Sequence, residues 1–321
     1  MRFDSAARPL VVLALFALVA NACTKTGPGQ CPTVDRPSAR SGVGAVLDPV
    51  TNQVYALGGL GAMLPIDELW RYSFDGCRGW SRLVLASSPG PRASYAAALD
   101  TMRRRIIYIG GDMHNDVWAL DVDRLTFTKL AAVGNPPPVA ASEVAAYDAM
   151  HDRIVYAGIE TYTLEFGGSD QGEWVFADAT SLRAPASAAV DPTRSMLIAY
   201  DADKLRGFNF LTSVWQEIPI AGTAPAVGTQ LLWDDLDQRL LAVGDDVEAL
   251  ALDANATSAT FTPITTMSPP PARSDFAVAM SGSVLWLFGG KDAAGCTLDD
   301  LWTLETTSGV WTNVWPATTC L

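Results

Sequence analysis

The chain has 321 residues and a formal net charge of −13, with 49% hydrophobic residues, ten tryptophans and two histidines. Few cations in so acidic a protein leave little to neutralise phosphates, so nucleic acid is excluded as an expected partner. The 26 glycines and 20 prolines are spread along the chain, which suits many short strands and turns rather than long helices, and no apolar run beyond residue 20 is long enough to cross a bilayer.

The N-terminus comes first. Arg2 and Arg8 form a basic start, and Leu10–Ala20 is an uninterrupted apolar run too short to span a membrane. Ala20-Asn21-Ala22 offers a small-x-small cleavage site, and Cys23 follows directly. Leu18–Cys23 resembles a bacterial lipoprotein box, departing from it at Ala20, where Leu is usual, and at Asn21, where a small residue is usual. The expectation is a signal peptide over 1–22, lipidation at Cys23, and export to the cell envelope (periplasm or outer-membrane lipoprotein) or the medium. Membrane contact is then expected only through the lipid. Residues 23–39, rich in Thr, Gly and Pro, read as a flexible tether.

The other cysteines are Cys31, Cys77, Cys296 and Cys320. Four in an exported chain suggest two disulfides, with three connectivities open. They belong to the two ends of the chain, so disulfides that fasten the ends together are expected. No metal is expected, because there is no Cys-x-x-Cys pair and histidine is scarce.

From residue 40 a single pattern recurs. A short apolar run stops at glycine: Val54-Tyr55-Ala56-Leu57-Gly58-Gly59, Ile106-Ile107-Tyr108-Ile109-Gly110-Gly111, Ile154-Val155-Tyr156-Ala157-Gly158, Leu240-Leu241-Ala242-Val243-Gly244 and Val284-Leu285-Trp286-Leu287-Phe288-Gly289-Gly290. The copy at Met196–Asp201 has lost both glycines. An aromatic series keeps the same period at Trp80, Phe127, Trp174, Trp215, Phe261 and Trp311, with spacings of 47, 47, 41, 46 and 50. Ahead of the glycine runs, Asp48, Asp100, Asp148, Asp191 and Asp234 each open a turn, since an aspartate there can accept from the backbone amides ahead of it. The strands preceding these turns are rich in Ala and Gly, as a crowded innermost strand requires. A repeat of this length means a propeller or a solenoid. The units run 40–85, 86–131, 132–178, 179–220, 221–264 and 265–315, each with four strands of its own, and 316–321 is a C-terminal tail.

The apolar strand, double glycine, spaced aromatic strand and Trp opening the outer strand together resemble the kelch repeat. The match is best in the first, second and sixth units, where Pro91-Arg92-Ala93-Ser94-Tyr95 and Pro271-Ala272-Arg273-Ser274 also fit the family's entry into the repeat. The resemblance implies an all-β, six-bladed kelch-like β-propeller with four antiparallel strands per blade, which as a class binds partners or ligands in a funnel at one face. The fold alone does not assign a function.

Arg40, Arg92, Arg183 and Arg273 each precede an innermost strand, so a propeller would bring them to one mouth of its channel. Guanidiniums gathered there would attract carboxylates, on a protein or on an acidic small molecule or glycan. In the structural alternative each arginine pairs with a loop acid or carbonyl nearby. His114 shares that mouth as a candidate binding residue, with Lys291 and Asp292 at its border, whereas His151 falls on the opposite face. The sequence contains no nucleophile elbow or phosphate loop. Two histidines on opposite faces do not fit copper chemistry of the galactose-oxidase kind. No catalytic residue and no cofactor is therefore assigned. The expectation is a monomeric binding module of the cell envelope, with a carbohydrate-active enzyme similar to the kelch family's sialic acid mutarotases as the alternative.

Overall fold

A computed structural model of the chain describes residues 35–76, 78–112, 114–139, 143–183 and 186–318. The expected signal peptide, Cys23, most of the expected tether and the end of the expected C-terminal tail lie outside the described residues, as do Cys31, Cys77 and Cys320. From Val34 onward the chain is one compact unit.

Six sheets, each with four antiparallel strands, follow one another in chain order. Blade 1 holds β1 (Gly44–Asp48), β2 (Gln53–Leu57), β3 (Leu69–Ser73) and β4 (Gly79–Leu83). Blade 2 holds β5 (Ala96–Asp100), β6 (Arg105–Ile109), β7 (Val117–Asp121) and β8 (Thr126–Lys129). Blade 3 carries a short extra strand, β9 (Val133–Gly134), followed by β10 (Val144–Asp148), β11 (Arg153–Ala157), β12 (Thr161–Glu165) and β13 (Glu173–Asp178). Blade 4 comprises β14 (Ala186–Asp191), β15 (Met196–Asp201), β16 (Lys204–Asn209) and β17 (Val214–Ile218). Blade 5 comprises β18 (Gln230–Asp234), β19 (Arg239–Val243), β20 (Val247–Leu252) and β21 (Ala259–Pro263). Blade 6 comprises β22 (Ala277–Ser281), β23 (Val284–Phe288), β24 (Leu301–Glu305) and β25 (Val310–Trp315). The chain is thus an all-β, six-bladed propeller, and among the described residues no blade takes strands from both ends of the chain.

The unbroken apolar runs have a direct cause. Successive side chains of a strand point to opposite faces, and the second strand of each blade lies between two neighbouring sheets. Ile106 and Tyr108 pack into the core shared with blade 1, while Ile107 and Ile109 pack into the core shared with blade 3. A strand buried on both faces has no solvent side to mark with polar residues.

The ring closes between blades 6 and 1 through aromatic rings. Trp80 of blade 1 meets Trp286 and Phe288 of blade 6 at centroid distances of 5.4 and 5.1 Å, and Tyr72 lies 6.0 Å from Trp286. Three backbone hydrogen bonds complete the junction: Arg40 N–H to Leu298 O (3.0 Å), Gly42 N–H to Asp275 O (2.9 Å) and Gly290 N–H to Arg40 O (3.0 Å).

On the turn face, the aspartates that end the first strands are buried and doubly used. Each accepts from the turn amides ahead of it, as Asp48 does from Val50 N–H (3.1 Å), and each also takes an arginine. Where the cross-strand partner is arginine, that residue supplies the bond: Arg105 to Asp100 (2.9 Å), Arg153 to Asp148 (2.9 Å) and Arg239 to Asp234 (3.0 Å). Blade 1 has Gln53 in that register, and Arg104 of blade 2 reaches across to Asp48 instead. In blade 4 Met196 faces Asp191, and Arg194 supplies the charge. Isolated buried carboxylates would be costly, so each is paired.

Candidate functional site

The face opposite these turns carries the predicted arginines, and three of them repeat one arrangement. Arg40 donates to Gly58 O (2.9 Å) and to Glu68 (2.6 Å). Arg92 donates to Gly110 O (2.9 Å) and Asp116 (3.0 Å), and also to Pro89 O. Arg273 donates to Gly289 O (3.1 Å) and grips both oxygens of Asp300 (2.6 and 2.9 Å). The acid stands in each case just before the third strand and also accepts the indole N–H two residues on: Trp70 to Glu68 (2.9 Å), Trp118 to Asp116 (2.8 Å) and Trp302 to Asp300 (2.7 Å). One guanidinium therefore fastens the start of strand one to the end of strand two and the start of strand three.

Burial of the acids and their partners act against each other. Burial pushes the Glu68 carboxyl up, but Arg40, Trp70 and Arg82 outweigh it and hold the carboxyl below its usual value. Asp116 follows the same balance, with Arg92, Trp118 and Lys129 outweighing burial.

The arginine clasp also explains the double glycine. Two residues after the arginine the backbone turns left-handed, with φ of 61° at Gly42, 54° at Ser94 and 53° at Asp275. The peptides there link successive blades, Gly42 N–H to Asp275 O and Ser94 N–H (3.1 Å) to Gly42 O. The glycine amides ending the second strand reach the arginine's own carbonyl on the next blade, as Gly59 N–H does to Arg92 O (2.9 Å).

The four arginines are thus not equivalent. Arg40 and Arg92 are fully buried, and the Arg273 side chain is 3% exposed. Arg183 is offset: its side chain is 53% exposed and pairs with the exposed Asp203, while its amide donates to Asp201 (2.9 Å), the residue that replaces the glycine in blade 4. His114 is exposed, with Nδ1 2.9 Å from Gly111 O. Lys291 lies 3.8 Å from Asp275, and Asp292 accepts from the amides of Ala294 and Cys296 to shape its loop (both 2.9 Å). Cys296 is disulfide-bonded.

The channel forms a cavity of about 280 Å³ lined by the first strands of all six blades. Its walls are mostly Gly, Ala and Val, interrupted by Ser94, Glu143, Ser187, Gln230 and Asp275. None of the four arginines, nor His114, is among the lining residues. Tyr95 also faces the channel, but its hydroxyl is engaged by Gly44 and donates to Leu57 O (2.5 Å). Glu143 interacts with the buried Tyr156; burial first and this carboxylate second push the Tyr156 phenol up. Ser187 accepts the Leu231 amide (2.8 Å), and Gln230 donates to Gly228 O (3.2 Å). The sequence did carry a sign of these residues: a polar side chain is the anomaly in or beside an Ala- and Gly-rich innermost strand. No cluster of three or more metal-ligating side chains is found among the described residues.

No protein-family model matches the sequence, and no curated protein matches it. A solved structure does: that titled "Structure of YjhT" aligns with 89% of this chain and 99% of its own at a TM-score of 0.64 and 13% identity. This likeness shows the fold. At that identity it carries no residue of YjhT over to this chain.

Proposed function

We propose that the protein is an exported binding module of the cell envelope, held there by lipid on Cys23, whose ligand enters the channel mouth. The observation that carries this reading is the 280 Å³ cavity, to which every blade contributes and in which the polar groups stand apart from the arginine clasps. A small number of placed polar side chains in a concave site is what fixes a ligand's orientation. The arginines act one step back, with Arg92 and Arg273 holding the strands that present Ser94 and Asp275. Arg183, whose exposed side chain pairs with the exposed Asp203, is a cation placed to meet an acidic group at the rim in exchange for that pair.

The test uses substitutions that spare the clasps. Asp275→Asn keeps a residue tolerant of left-handed φ, and Gln230→Ala removes an amide from the channel wall. The probes are a glycan array, including sialylated glycans, and peptides released from bacterial envelopes. Wild-type binding that falls at least about tenfold in both variants, roughly 1.4 kcal/mol, is the expected result. Binding unchanged in both would place the ligand elsewhere, and turnover of a free sugar by the wild type would move the protein to the enzyme class. Fractionation tests the anchor: Cys23→Ala is expected to shift the protein from the membrane pellet to the soluble fraction, and an unchanged pellet would remove the lipid from the account.

A further inference from the structure

The turns that join the first and second strands expose one side chain in a repeated way. The aspartate that ends the first strand accepts the amide of the residue two places on: Val50 to Asp48 (3.1 Å), Met150 to Asp148 (3.2 Å) and Leu236 to Asp234 (3.2 Å). That bond shapes the turn, and the side chain at that position stands in solvent. Four of the six blades place a large apolar residue there: Val50 is 75% exposed, Met102 62%, Met150 66% and Leu236 58%. The turn does not demand it, since blade 4 has Thr193 and keeps the same bond, to Asp191 (2.9 Å). Blade 4 instead exposes Leu211 in its outer turn on the same face. Blade 6 has the shorter turn Ser281-Gly282-Ser283 and leaves a gap.

Single exposed apolar residues are ordinary on a protein surface. Val50, Met102, Met150 and Leu236 share one turn position on one face, and the strands that carry them line the channel, so they stand round its far end. Apolar groups gathered in this way, with polar groups round them, mark an interaction surface. Two of the four are methionines, whose unbranched chains adapt to a partner's shape.

The charges of this face select the partner. Asp123, Asp170 and Asp237 have side chains more than half exposed, and each covers an arginine that is itself mostly buried: Arg104 (3.0 Å), Arg103 (3.1 Å) and Arg239 (2.8 Å). Asp237 adjoins Leu236, while Asp123 and Asp170 stand in outer turns. Arg124 is an exposed cation here, paired with Asp121 (2.7 Å). An approaching surface therefore meets apolar tips and, with them, carboxylates on the outside of their ion pairs.

We propose that this face docks another protein through an apolar patch framed by lysines or arginines. A second copy of this chain would bring acid against acid, and an anionic lipid surface would do the same; like charges so opposed are unfavourable. The docking face lies opposite the channel mouth, and the proposal does not depend on what that mouth binds.

The experiment uses the full chain and a defined probe, an amphipathic helical peptide of leucine and lysine, followed by calorimetry. Wild type is expected to bind it. The variant combining Val50→Ser, Met102→Ser, Met150→Ser and Leu236→Ser is expected to bind at least about tenfold more weakly. The same peptide with glutamate in place of lysine is expected to bind wild type at least about tenfold more weakly. No binding by wild type, equal binding by the variant, or equal binding of the glutamate peptide overturns the proposal. A variant that lost its fold would also lose binding, so a photo-crosslinking residue is placed at Met150 and, in a separate protein, at Ile159 in the β11–β12 loop of the mouth face. Crosslinking of the lysine peptide from position 150 and not from 159 is expected, and the reverse overturns the proposal. Neutral phosphatidylcholine vesicles bound by wild type and released by the serine variant would assign the face to lipid. A wild-type dimer that the serine variant dissociates would assign it to a second copy. Either result overturns the proposal.

Discussion

Gly289→Ala is expected to destabilise the propeller by at least about 3 kcal/mol and to lower its melting temperature by roughly 6–12 °C. Two effects add. The backbone at Gly289 has φ of +65°, where a side chain costs about 1–2 kcal/mol. A Cβ there would also stand 2.6 Å from Arg40 O and 3.2 Å from Leu298 O, both backbone atoms of the ring closure that cannot move independently. Gly76→Ala is the control. Its φ is +61°, but nothing lies within 4 Å of the added carbon, so only the left-handed strain remains. Thermal melts of the two variants separate these contributions. Equal, small losses would mean that the tight approach of blade 6 to blade 1 is not what requires glycine.

Arg273→Ala is expected to cost about 3–5 kcal/mol, because it leaves the Asp300 carboxylate, itself 5% exposed, buried without its partner. The same change also strips a donor from Gly289 O. Arg183→Ala, at an exposed pair, should leave stability almost unchanged. The contrast matters for function. If the mouth arginines formed a binding ring, Arg273→Ala would lower ligand affinity in a fully stable protein. The clasp predicts a loss of folding stability first, with any effect on binding following from it.

The fold was legible because its signals are local and repeat. Apolar runs ending in glycine, spaced aromatics and turn aspartates each report a constraint that every blade must meet, so six imperfect copies reinforce one another. Even the units that lost their glycines keep the aspartate turn and the aromatic. What a repeat does not report is who bonds to whom. Arg40, Arg92 and Arg273 were readable as a set at one mouth, but not as clasps, because their acids lie 28, 24 and 27 residues away across loops of differing length. Arg183 looked equivalent in sequence, yet Asp201 stands in place of the glycine and the side chain turns outward to Asp203. The ring closure was expected from cysteines, whereas the described junction is built from Trp80, Trp286, Phe288 and Tyr72. That core needs rings from the two ends of the chain, which no periodicity relates.

The central claim is that the arginines at the mouth fasten the blades and leave contact with a ligand to the channel lining. A double-mutant cycle in urea on Arg273→Ala and Asp300→Ala tests it most directly. The account predicts that the double variant is hardly less stable than either single one, giving a coupling energy nearly as large as the loss in a single variant, about 3 kcal/mol or more. Losses that add to within about 0.5 kcal/mol would show that the two residues act independently, and would return Arg273 to the list of groups free to bind a ligand.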